Sequence, residues 1–171
     1  MKTLARIAVV AIAAVTLAAC SAINPITTSE DYQASDGVTV PIGDSTKGIN
    51  LLVVTTAKDA PAVLTGSLHN SSTEDVTVTL SIDGAIATNV TVPGRSTVSL
   101  GTGEGQQLVQ GASPAAPGGL APVWFATEID GSQQSDVPVV DGTLAEYQSI
   151  VDSIPPLPEP SATPSPTPTE E

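Results

Sequence analysis

The stretch DVTVTLSID at residues 75–83 constrains the fold more than any other part of the 171-residue chain. Val76, Val78, Leu80 and Ile82 alternate without a break with Thr77, Thr79 and Ser81. Successive strand side chains point to opposite faces, so the pattern describes a strand with one buried face and one wet face. Asp83-Gly84 follows as a two-residue hairpin signal, because both central positions of the favoured turn take positive φ. Residues 85–92 then return antiparallel, with Ile86, Val90 and Val92 inward. Pro93-Gly94 suits the centre of a type II turn. Residues 96–100 make another short strand with Val98 and Leu100 inward.

Strand patterns extend in both directions. VTVPI at 38–42 alternates, and Pro41 marks an edge or a strand end. INLLVVTT at 49–56 is continuously apolar through its middle, which predicts a strand covered on both faces. AVLTGSLH at 62–69 follows an Asp59-Ala60-Pro61 turn, and Asn70-Ser71-Ser72-Thr73 is a turn cluster. A short strand at 107–109 lies between GTGEG and the Gly- and Pro-rich residues 111–122. That second loop, of about twelve residues, is near the upper length for a compact domain and is the best candidate for a functional or mobile loop. PVWFATEI at 122–129 is the next strand, and 137–140 the last, after an Asp130-Gly131 turn. Thr143 and Glu146 fit a capping box. Leu144, Tyr147 and Val151 share one face of a short helix running to about Asp152. Short strands with turn signals every 8–12 residues, roughly, predict an all-β fold. The expected architecture is an immunoglobulin-like antiparallel β-sandwich with a short C-terminal helix and disordered tails. A closed small barrel is the alternative.

Both ends fall outside this pattern. Lys2 and Arg6 precede an apolar run at 7–19 that only Thr16 interrupts, the layout of a secretory signal. A run of about 13 residues is too short for a bilayer span of about 20. It closes on Leu17-Ala18-Ala19-Cys20, which resembles the lipobox of bacterial lipoproteins. The resemblance implies that residues 1–19 are removed and that the Cys20 thiol carries a diacylglycerol. The mature protein then sits on the outer face of the cell membrane, palmitate-class acyl chains being its anchor. Cys20 is the only Cys, so no disulfide forms within the chain. Lipidation also removes a thiol that an oxidising compartment would leave reactive. On this reading residues 20–37 are the lipidated Cys and a flexible tether, and 38–152 are the sandwich domain with its helix. Residues 153–171 are a disordered tail or polyproline II, holding seven of the chain's 15 prolines among Ser, Thr and Glu. Its Ser and Thr residues are candidates for O-linked sugar. Loss of Lys2 and Arg6 takes the net charge from −13 to −15. A surface of that sign repels nucleic acid and anionic headgroups, so no nucleic-acid partner is expected.

Few residues could carry chemistry. The sole Met is Met1 and the sole His is His69. Borderline metals need several soft ligands, so neither a metal nor a cofactor is expected. His69, at a strand end, reads as an exposed polar residue. A Ser-His-Asp triad would have to use it, and no G-x-S-x-G elbow exists. Glu74 and Asp75 are adjacent in an extended stretch and diverge. Glu128 and Asp130 flank a turn and read as solvated. GTGEG is followed by a strand pattern, not by a helix that could cradle phosphate. No catalytic residue is assigned, and the protein reads as no enzyme. Trp124 and Phe125 are neighbours on one strand and point to opposite faces. One fills the core. The other is either covered by the helix face with Leu144 and Tyr147 or left exposed, which makes the pair the interface candidates. Asn70 and Asn89 match Asn-x-Ser/Thr but follow a bacterial signal, so they are not read as glycosylation sites.

LAAC, NPITTSEDYQASDGV and the closing PVWFATEIDGSQQSDVPVVDGTLAEY together resemble small actinobacterial cell-envelope lipoproteins of the LpqE type. The resemblance covers most of the mature chain to about Val151. It implies an extracytoplasmic, lipid-anchored accessory protein. The fold is also similar to that of PCuAC-type periplasmic copper chaperones, whose Met/His ligands have no matching positions here. Copper binding is therefore not carried over. The sequence points to a non-enzymatic interaction or accessory module of the bacterial cell envelope. Its partners would be the membrane, through the lipid on Cys20, and an unknown envelope protein or polymer. The alternative is a metal or small-ligand carrier.

Overall fold

Strand β1 (Val38–Pro41) and strand β9 (Gly131–Val140) lie along the same edge of β2 (Thr46–Thr55), one at each end of it. The computed structural model describes residues 35–158. The signal segment, Cys20, most of the tether and residues 159–171 lie outside the described residues, and the expectations for them rest on sequence. The other strands are β3 (Pro61–Asn70), β4 (Val76–Ser81), β5 (Thr88–Val92), β6 (Thr97–Leu100), β7 (Gln110–Ala112) and β8 (Leu120–Thr127). Helix α1 (Ala145–Val151) follows them.

The strands form the expected immunoglobulin-like sandwich. One layer is β2 and β3 flanked by β1 and by β6 and β7; the other is β5-β4-β8 with the first part of β9. β9 belongs to both. Gly131 to Pro138 pair antiparallel with β8, and Val139 and Val140 then pair parallel with Val53 and Val54 of β2. That parallel strand pairing departs from the antiparallel expectation. It arises because β9 outruns β8 and closes one side of the sandwich, part of the way to a barrel.

The apolar positions meet between the layers. Val78, Leu80, Val90, Val123 and Phe125 of one layer pack with Val40, Leu51, Val53, Leu64 and Leu68 of the other. Full burial of such side chains is worth about 1.5–3 kcal/mol each. Leu52, Val54 and Val63 lie outside this cluster and are buried all the same. INLLVVTT is thus covered on both faces, as its unbroken apolar middle predicts. A bulge between Ile49 and Leu52 puts Asn50 at φ 52, and the Asn50 carboxamide accepts the Gly37 N–H at 3.0 Å. Gly66 lies opposite at φ 121, where a Cβ would stand 2.6 Å from the Asn50 carbonyl oxygen.

Several local expectations are corrected. Asp83-Gly84 is not a two-residue hairpin: β4 ends at Ser81 and β5 starts at Thr88. The Asp83 carboxylate instead accepts the N–H groups of Ala85, Ile86 and Ala112 and organises a longer loop. At Pro93-Gly94 the positive φ falls on Arg95, so the turn is not type II. Gly94 is needed because a Cβ there would meet the Thr73 carbonyl oxygen at 2.3 Å. The short strand runs from Gln110 to Ala112, leaving 107–109 with one isolated bridge, Gln107 to Leu100. The capping box does not form. Leu144 takes the N-cap position, and Thr143 turns its N–H to Asp141 Oδ1 at 2.9 Å. Residues 113–119, the remainder of the long loop, are tied at both ends. Ser113 exchanges backbone bonds with Asp59 and Ala60, and Gly118 and Gly119 bond Val139.

Asn70, read as part of a turn, is a buried clamp between the layers. Its Nδ2 donates to the carbonyls of Glu74 at 2.8 Å and Val92 at 3.1 Å, and its Oδ1 accepts from Ser72 N–H and Oγ. Among the described residues no helix is long and apolar enough to cross a membrane.

Candidate functional site

β8 settles which aromatic goes where. Ala121, Val123 and Phe125 share one parity and face the core, where Phe125 is 0% exposed. Trp124 has the other parity and is 44% exposed. The helix does not cover it: α1 packs on β2, in the other layer. Trp124 stands between Ser81 of β4 and Gln134 of β9. The next row across the same face runs Asn89, Thr79, Ala126 and Ser132.

This outer face sets hydroxyls and amides on β4, β5 and β9 beside an apolar line along β8 of Leu120, Pro122, Trp124 and Ala126, of which Leu120 is 59% exposed. Thr77 Oγ1 pairs with Thr91 Oγ1 at 3.0 Å, and Thr79 Oγ1 donates to Asn89 Oδ1 at 2.7 Å. Both are cross-strand pairs that stiffen the sheet. They leave Asn89 Nδ2, the Gln134 amide and the Trp124 indole N–H without a hydrogen-bond partner among the described residues. The indole edge rests on Gly84, whose Cβ, were there one, would sit 3.7 Å from Nε1. Gly84 is at φ 78 and donates its N–H to Ser81 Oγ at 2.9 Å. Burial alone would raise the Asp83 pKa, but the backbone N–H groups of Ala85, Ala112, Ile86 and Asp83 itself outweigh it and hold the carboxyl below its ordinary value. A charged, hydrogen-bonded Asp83 therefore fixes the loop on which the indole sits.

Concavities lie elsewhere. One, about 450 Å³, lies beside α1 and is lined by Pro117, Val139, Val140, Leu144 and Tyr147, with Asp36 and Asp141 among its polar residues. Tyr147 Oη donates to Asp36 Oδ2 at 2.7 Å. Burial, then the hydrogen bond to Asp36 and the charges of Asp36 and Glu146, push the phenol up to about 12. The Asp141 carboxyl is held below its ordinary value by Thr143. A second groove, about 300 Å³, runs past Lys47 and His69, cross-strand neighbours on β2 and β3. His69 is half-buried, not exposed, and its Nδ1 lies 3.0 Å from Thr97 Oγ1. A shallow notch of about 140 Å³ lies between Asp75 and Glu128. Asp75 Oδ1 accepts the Gly94 N–H, and Asp130 is tied to Thr127 Oγ1. Among the described residues no three His, Cys, Asp or Glu side chains gather where they could hold a metal ion.

No family model matches the chain, and no curated protein matches it significantly. Among solved structures it is similar to the copper-bound PCuAC domain from PmoF2, at 17% identity and a TM-score of 0.47, over 61% of this chain and 98% of that one. It is likewise similar to the apo PCuAC domain from PmoF1, at 14% identity and a TM-score of 0.47, over 61% and 99%. The likeness is one of overall fold.

Of the residues singled out from sequence, Trp124 stands on the open face, Phe125 fills the core and Cys20 lies outside the described residues. Sequence reasoning missed Gln134 and the Gly84 seat. The parity of Ser132, Gln134 and Asp136 was the available signal for Gln134. Gly84 was noticed, but as half of a tight turn.

Proposed function

We propose that the protein is a membrane-tethered, non-enzymatic interaction module of the bacterial cell envelope, of the LpqE lipoprotein type. The anchor is lipid on Cys20, supported by the Leu-Ala-Ala-Cys ending of a short signal segment. The observation that carries the interaction reading is Trp124, the only Trp of the chain, standing 44% exposed on a sheet face beside Gln134, whose amide has no hydrogen-bond partner among the described residues. An indole has a large apolar body and one N–H, and it finds full use only when a partner covers it. Of the paired carboxylates considered for catalysis, Asp75 accepts the Gly94 N–H and Asp130 accepts from the Thr127 hydroxyl, which supports a structural role for both. The acidic surface opposes nucleic acid as a partner.

Cross-linking in intact cells tests the whole reading, with Cys20→Ala as the control. The expected result is a membrane-fraction protein that incorporates labelled fatty acid and joins a specific partner, both lost in the control. Equal fractionation of the two forms, or turnover of a substrate by the purified chain, contradicts it.

A further inference from the structure

We infer that the outer face along β8 is a docking surface for a proline-rich segment, and that its occupant in the free protein is the chain's own C-terminal stretch, residues 159–171. This deepens the interaction-module reading, by naming what covers the face until a partner does, and rests on it for the choice of face. The face offers two things. Its apolar line is Leu120, Pro122, Trp124 and Ala126, with Pro138 beside Leu120, and Leu120 is 59% and Trp124 44% exposed. Its groups without a hydrogen-bond partner among the described residues include the Trp124 N–H and Asn89 Nδ2, which only donate, and the Gln134 amide. An occupant that is apolar, rich in acceptors and poor in donors answers both. Residues 160–169 read PSATPSPTPT. Pro160, Pro164, Pro166 and Pro168 each keep a carbonyl and have no N–H. A polyproline II segment lays its rings on aromatic side chains and accepts hydrogen bonds on its carbonyls. None of these ten residues is charged, which suits a face that carries Asp136 and is bordered by Asp75 and Glu128. A second copy of the face would instead set donors against donors and carboxylates against carboxylates.

The described chain also ends within reach. The Pro156 carbonyl accepts from Gln110 Nε2 at 3.5 Å. Gly111, the next residue, lies against Ile82 and Asp83, and Gly84 seats the indole. Residues 159–171 in polyproline II would run about 40 Å, whereas β8 is about 26 Å long. Tethering within one chain gives an effective concentration of about millimolar, so a weak fit suffices.

Trp124 is the only Trp, so the intrinsic emission of the chain reports on this face alone. The test compares residues 20–171 carrying Cys20→Ser, which needs no detergent, with the same chain ended after Pro158. The shorter chain keeps every described residue and should melt within a few degrees of the longer one. The expected result is a red shift and a rise of about twofold in acrylamide quenching on truncation, reversed by a synthetic 159–171 peptide at about millimolar concentration. In the longer chain, Pro160→Ala, Pro164→Ala, Pro166→Ala and Pro168→Ala together should lose the protection, and Glu159→Gln, Glu170→Gln and Glu171→Gln together should keep it. A photoreactive residue at position 134 of the purified chain should join residues 159–171 within a monomer. Emission and quenching unchanged by truncation, an alanine tail that protects as well as the native one, or adducts between two chains overturn the inference. If truncation changes nothing while position 134 joins a partner in cells, the tail falls and the interaction module stands. If the tail protects Trp124 but no partner joins in cells, the inference stands and the interaction module falls.

Discussion

The two layers of the sandwich use similar strands and end with opposite outer faces. In the β2–β3 layer, Leu52, Val54 and Val63 point away from the inter-layer core and are still buried, with α1 lying on β2. In the β4–β8 layer, the outward positions hold Thr77 and Trp124, which are exposed, Thr79, which is half-buried, and Ser81, which is buried beneath the loop that follows it. The difference is written in strand pattern. An unbroken apolar run needs a cover on each side, whereas strict alternation needs a cover on one side only. On β8 the outward positions are apolar as well, and Leu120 and Trp124 stay exposed there among the described residues.

The first way to break the comparison is to truncate the covered face. Leu52→Ala should cost about 2–5 kcal/mol, read as a lower denaturation midpoint in urea. A loss under about 1 kcal/mol would mean that this face is open too. Asn70→Ala, which cuts the clamp between the layers, should cost about 2–4 kcal/mol by leaving the Glu74 and Val92 carbonyls and the Ser72 N–H unpaired. Asp83→Asn removes the charge that organises the loop under Trp124 and should cost about 1–2 kcal/mol at neutral pH. The sign with pH follows from the lowered Asp83 pKa. Its contribution is present above the unfolded carboxyl pKa of about 3.9 and is lost as pH falls through the folded value. The parent should therefore lose stability in acid more steeply than Asp83→Asn. Tyr147 behaves oppositely. Its raised pKa gives stability that is full below about pH 10 and is lost as pH rises toward about 12. Tyr147→Phe should flatten that alkaline loss, and absorbance at alkaline pH should show the late-titrating phenol disappear. The smallest effect belongs to the open face: Trp124→Ala should cost no more than about 1 kcal/mol while removing all indole emission.

The fold was legible wherever one residue in two had to be apolar. Val76 to Ser81 and Ala121 to Phe125 reveal both strand and facing, and the parity of Val123 with Phe125 already sends Trp124 outward. The first half of β9 was not legible. Residues 131–136 are Gly, Ser, Gln and Asp, and only Gln133 and Ser135 reach even half-burial, so no apolar period announces the strand. Backbone pairing with β8 makes it extended regardless. Asn70 and Asp83 were read as turn residues because their side chains do favour turns. What sequence cannot display is that each also bonds backbone groups 22 and 29 residues away, Val92 from Asn70 and Ala112 from Asp83. The capping box failed for a local reason: Asp141 captures the Thr143 N–H first. The site was legible as a pair of aromatics, and its choice between covered and open depended on where α1 docks.

The most direct test of the account places a photoreactive residue at position 134, on the open face, and in a second chain at position 148, on the exposed side of α1. Both chains keep Cys20 and are irradiated in intact cells. The account predicts adducts from 134 that vanish when Trp124→Ala is added, and none from 148. Equal adducts from both positions, or adducts from 148 alone, would contradict the claim that the β4–β8 layer is the working face of the protein.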